Sequence, residues 1–132
     1  MHWSSDYVGL PYLERGRDRS GVDCWGLVRL VYAEVLGIDL PSYGEIAARD
    51  VVAATRQIRD ASAARPWVPV AGPAQPMDVL VMAGRPLHVG VMLDARRVLH
   101  VEAATAAVIV EVERCTHVRA RRLSFFRHEA LA

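Results

Sequence analysis

Nowhere in this chain of 132 residues does an apolar run approach the roughly 18–20 residues that a membrane-crossing helix needs, so no membrane insertion is expected. The opening Met1-His2-Trp3-Ser4-Ser5-Asp6 offers neither a basic n-region nor an apolar h-region. No secretory leader is visible, and synthesis in the cytoplasm is expected; other means must carry the protein to any site outside. Charge of one sign is also lacking: 16 Lys and Arg stand against 15 Asp and Glu, a formal net charge of +1, with the signs interleaved. Binding to nucleic acid needs a basic stripe, so no nucleic-acid partner is expected. The local cluster of Arg119, Arg121, Arg122 and Arg127 reads as a solvated face. Cysteine is scarce, with Cys24 and Cys115 alone and no C-x-x-C pair. That excludes a disulfide framework and narrows the question to whether either thiol does chemistry.

What is present is the material of one folded unit. Just over half the residues are apolar (52%), enough for a core at this length, and residues 1–132 are expected to form one domain. There is no internal repeat and no low-complexity tract. Residues 3–12 read as a short helix or turn, followed by the polar stretch GRDRSGVD. Over 24–36, CWGLVRLVYAEVL carries apolar residues at helical spacing, with Asp23 as N-cap and Gly37 as stop. A second helix is expected over 45–64. The connector RPWVPVAGPAQP is too rich in proline for a central strand. Beyond it, β-branched runs at 78–82, 88–93, 97–101 and 108–112 read as an antiparallel meander, and the final apolar LSFFRH could add one more strand. Helices first and strands after indicate an α+β fold, with a helix packed on an antiparallel sheet.

Three residues invite a chemical reading. Cys24 is expected in the first turn of its helix, where unpaired N–H groups and the helix dipole favour a thiolate and lower the thiol pKa. Taken alone, it equally fits a small apolar residue on the buried helix face. His88 alternates along LHVGVML with Gly90 on the same face, which would leave room above the ring for a substrate. His100 follows on the next strand, an even number of positions later, so the two rings are suggested to share a face. There it could accept the Nδ1 proton of His88 and hold the working tautomer, the third role in a catalytic triad. Each histidine alone also fits a structural one.

GVDCWGLVRLVY, PMDVLVM, LHVGVMLDARRVLH and RRLSFFRH together resemble the NlpC family of papain-like cell-wall cysteine peptidases. The likeness is closer to its short versions encoded with phage tail and gene-transfer-agent tail genes, and it covers residues 10–128. It implies N-terminal helices on an antiparallel sheet of about five or six strands. It implies Cys24 as nucleophile, His88 as base and His100 as the polar residue completing the triad. Tyr12 of GLPY matches a family tyrosine near the oxyanion position, although a turn residue packing its ring fits as well. Asp23 matches a residue that can bind the substrate's amine, or is only the N-cap. Two departures stand out: Trp25 follows the cysteine where most members have Ser, and Glu14-Arg15 stands where many have Gly-Gly. Both positions lie near the substrate groove by the resemblance, so the peptide recognised is open. Cys115, Trp3, Trp67 and the Phe125–Phe126 pair read as packing.

The chemistry implied is two-step amide hydrolysis of a peptidoglycan stem peptide at a D-Glu to diamino-acid linkage, without metal or organic cofactor. The implied setting is a phage-like tail, with tail hub or baseplate proteins as partners and local wall opening as the role. Rival readings are a tail module that keeps the fold for docking with little or no hydrolysis, a zinc site on Cys24, His88 and His100 whose spacing matches no common zinc motif, and acyl transfer to an acceptor other than water.

Overall fold

The computed structural model describes residues 2–40, 66–83, 88–114 and 122–131. The helix expected over 45–64 lies outside them, as do Cys115, Arg119 and Arg121.

A 3-10 turn at Trp3–Asp6 opens the described chain, and a small antiparallel hairpin follows, β1 (Arg17–Asp18) and β2 (Gly21–Val22). The hairpin delivers Asp23 in an extended conformation, from which its side chain accepts the Gly26 N–H and starts helix α1, Cys24–Val31. Leu27, Val28 and Val31 are fully buried, each stabilising the fold by about 1.5–3 kcal/mol. Gly26 is required where it stands: a Cβ there would sit 1.9 Å from the Gly16 carbonyl oxygen, so the helix start rests directly on the loop before the hairpin.

The expected helix over 24–36 is not uniform. Its last five residues, Tyr32–Leu36, form a π-helical turn, and left-handed Gly37 closes it. Tyr32 is fully buried and its hydroxyl donates to the Met77 carbonyl, tying this turn to the strand layer.

The sheet has six antiparallel strands: β3 (Trp67–Pro69), β4 (Val79–Ala83), β5 (His88–Met92), β6 (Arg97–His100), β7 (Val108–Glu111) and β8 (Arg122–His128), in the order β3-β8-β4-β5-β6-β7. The four expected runs form the meander β4 to β7. LSFFRH adds one more strand, as expected: β8, which folds back between β3 and β4. The proline-rich connector supplies β3 at the sheet edge, where the N–H missing from Pro69 interrupts no interior ladder. Asp78, fully buried just before β4, receives both Nε and Nη2 of Arg127 at 2.8 Å and locks β8 in place. Helix α1 packs across β5, and the larger core gathers Leu27, Val28, Val31, Val89, Val91 and Leu99. A smaller cluster holds Leu80, Met82, Met92 and Val98. This is the expected α+β arrangement, with one α-helix among the described residues.

Candidate active site

Asp23 organises the helix start. Its Oδ1 accepts the Gly26 N–H at 2.7 Å and Arg17 Nη1 at 2.7 Å, and its Oδ2 accepts the Arg15 N–H at 3.2 Å. The side chain is buried, so these charge-assisted bonds offset its desolvation. Of the two readings given to Asp23, cap and amine ligand, the cap is the one its bonds support. Arg17 was not singled out from the sequence; an arginine six positions before an N-cap carboxylate, across a glycine turn, is its only signal.

Cys24 begins the helix, as expected, with 8% of its surface exposed. The expected lowering of its pKa is not what the surroundings produce. Burial and the adjacent Asp23 charge push the thiol up to about 11. Backbone N–H groups of Val89 and Trp25 bonded to the sulfur, and the Arg17 charge, work in the opposite direction without prevailing. The Val89 contact sets the thiol against the strand residue that follows His88.

The two imidazoles meet. His88 and His100 lie on adjacent strands, both buried, and His88 Nε2 is 2.8 Å from His100 Nδ1, with the rings at 79°. The ring nitrogen differs from the expectation: His88 offers Nε2 to His100, not Nδ1. Gly90 also serves otherwise than expected. A Cβ there would come within 2.6 Å of Val98 Cγ2 and 3.3 Å of His100 Cβ, so the vacant volume is filled by β6. Glycine at 90 lets the second histidine strand close in; it does not hold space for a substrate.

Tyr12 is held by its backbone, whose N–H donates to the Thr105 carbonyl at 3.0 Å, and by a bridge to Val22. Burial raises its phenol pKa, as do the neighbouring Asp23, Cys24 and Glu14 charges. The hydroxyl therefore stays protonated and able to donate. Trp25 is buried within the larger core, no more exposed than Cys24 beside it. Among the described residues no three or more His, Cys, Asp or Glu side chains are grouped so that they could hold a metal ion.

Residues 9–127 match the model of the NlpC/P60 family. The fold is similar to the solved NlpC/p60 domain of the peptidoglycan hydrolase SagA, at a TM-score of 0.59 and 25% identity over 92% of this chain and 90% of that one. It is also similar to an NlpC/P60 family protein from Bacillus cereus ATCC 10987, at a TM-score of 0.68 and 20% identity, covering 95% of this chain and 37% of that one. A stretch of 34 residues, 26% of this chain, is 50% identical to Protein P54 of Enterococcus faecium and spans 7% of that protein's length.

Proposed function

We propose, from the premise that this chain belongs to the NlpC/P60 family, that it is a cysteine peptidase hydrolysing peptidoglycan stem peptides through Cys24, His88 and His100. The observation that carries the reading is the 2.8 Å bond between the two buried imidazoles, of which His88 precedes Val89, whose N–H contacts the Cys24 sulfur.

The chemistry follows from the parts. A thiol pushed up to about 11 is a poor nucleophile by itself, so it needs a base beside it. With Nε2 turned to His100, Nδ1 is the nitrogen of His88 that takes the thiol proton. The sulfur then attacks the peptide carbonyl, and the Tyr12 hydroxyl with the Cys24 N–H stabilises the oxyanion. His88 returns the proton to the leaving amine, and water releases the acyl group from sulfur. His100 accepts from Nε2–H throughout and fixes the ring.

Purified peptidoglycan digested with the wild-type chain and with Cys24→Ala tests this. Muropeptides released by the first alone support it; equal release by both contradicts it.

The motif likeness to short versions encoded with phage tail genes favours a tail-borne protein that opens the wall locally, bound to hub or baseplate proteins. A second reading rests on the burial of the thiol: the same fold serves as a docking module with little turnover. Alkylation at neutral pH separates the two, since an activated Cys24 is labelled faster than Cys115 and a docking module shows no such preference.

A further inference from the structure

We propose that Glu102 is a positioning residue of the His88–His100 pair, its carboxylate favouring the positive charge that arises there when Cys24 loses its proton; this rests on the thiol–imidazole reading above. Glu102 Oε1 lies 3.9 Å from His100 Nδ1. That is too long for a hydrogen bond but well within the reach of a charge.

The Glu102 backbone is held by a built turn. Thr105 Oγ1 donates to the Glu102 carbonyl at 2.6 Å and accepts the Glu102 N–H at 3.2 Å. Ala104 takes a left-handed conformation, φ 62°, to close the turn. The Thr105 carbonyl accepts the Tyr12 N–H, the Ala107 N–H donates to the Leu10 carbonyl, and the Ala107 carbonyl accepts the Gly9 N–H. One short loop thus connects the strand end carrying His100 to the segment presenting Tyr12.

Proton bookkeeping gives the carboxylate its task. The Cys24 S–H bond breaks, the sulfur keeps the electron pair, and the proton moves to His88 Nδ1. His88 then carries protons on both nitrogens, Nε2–H donates to His100 Nδ1, and His100 keeps its own proton on Nε2. The step creates an anion at sulfur and a cation on the pair without changing the total charge. A negative charge 3.9 Å from His100 Nδ1, where the two rings meet, favours the ionised arrangement. Of the other charged neighbours, Asp23 and Arg17 at the helix cap act on the thiol, and Glu14 with Asp23 acts on the Tyr12 phenol. Across the strands, Met82 of β4 faces His88 and Val108 of β7 faces His100, both apolar. Among the described residues, Glu102 brings a carboxylate to within 3.9 Å of this imidazole pair.

The test is the pH dependence of iodoacetamide alkylation at Cys24 in the full chain, followed by peptide mass spectrometry that separates it from Cys115. Wild type is expected to show a reactive plateau through neutral pH, ended by an inflection where the imidazolium loses its proton. In Glu102→Gln the plateau rate falls about three- to tenfold and that inflection moves down by about half to one pH unit. Glu102→Asp, which keeps the charge and the backbone-bonded turn, retains the wild-type profile to within about twofold. A Glu102→Gln profile identical to wild type overturns the inference and leaves the thiol–imidazole reading standing. A wild-type Cys24 that titrates as a lone thiol, without a neutral plateau, overturns both.

Discussion

His88 Nε2 and His100 Nδ1 face each other at 2.8 Å across two neighbouring strands, with ring planes nearly perpendicular at 79°. In the proposed mechanism that one contact leaves Nδ1 of His88 to serve the thiol and gives the second histidine an orienting role.

Removing the base should cost most of the turnover. His88→Ala is expected to lower kcat by about 10²–10⁴, the usual worth of a positioned general base. His100→Ala should lose less, with KM unchanged, because the ring it orients remains. Steady-state kinetics on a stem peptide checks both; an equal kcat for His100→Ala and wild type would remove His100 from the mechanism.

Tyr12→Phe keeps the ring and deletes only the donor. An oxyanion donor is worth about 10²–10³ in kcat, and a loss of that size without a rise in KM is expected. A KM effect alone would make Tyr12 a substrate-packing residue.

Gly90→Ala tests the close approach of β6. The new Cβ would meet Val98 Cγ2 at 2.6 Å and the Leu99 carbonyl oxygen at 2.9 Å, the second of them backbone that cannot swing away. A destabilisation of about 1–3 kcal/mol is expected, as for other overpacked cores. Activity should fall further than stability does, since the displaced strand carries His100. Chemical denaturation together with kinetics separates the two effects.

His128 should give the fold an acid-sensitive component. Burial holds its imidazole below the ordinary 6.5, with only the Glu129 charge opposing, between the rings of Trp67 and Tyr32 at 5.4 and 6.0 Å. The unfolded chain therefore binds this proton more readily than the folded one. Its contribution is complete above 6.5 and is lost as pH falls through the lower folded value. Melting curves between about pH 7.5 and pH 5 should show a flatter pH dependence for His128→Gln than for wild type.

Much of this was legible in the residues because period-two alternation and local capping are local physics. The runs at 88–93 and 97–101 became β5 and β6 almost residue for residue, and Asp23 and Gly37 bounded the helical segment as their chemistry dictates. The return of β8 between β3 and β4 was not legible, because it depends on partners far apart in the chain, such as Asp78 and Arg127. The π-helical turn at Tyr32 likewise answers to a distant acceptor, the Met77 carbonyl. At the site, the even spacing of the two histidines pointed to one face, but which nitrogen meets which depends on ring rotation. The high thiol pKa was missed because helix-start arguments ignore desolvation, and here burial outweighs the N–H groups directed at sulfur.

The central claim is covalent catalysis at Cys24, and rapid-quench mass spectrometry during turnover of a stem peptide reads it directly. The account predicts a transient peptide adduct with the mass of the acyl fragment on the segment containing Cys24, formed and lost at the rate of cleavage and absent from Cys24→Ala. Cleavage that proceeds at full rate with no adduct on that segment, or with the adduct on Cys115, would contradict it.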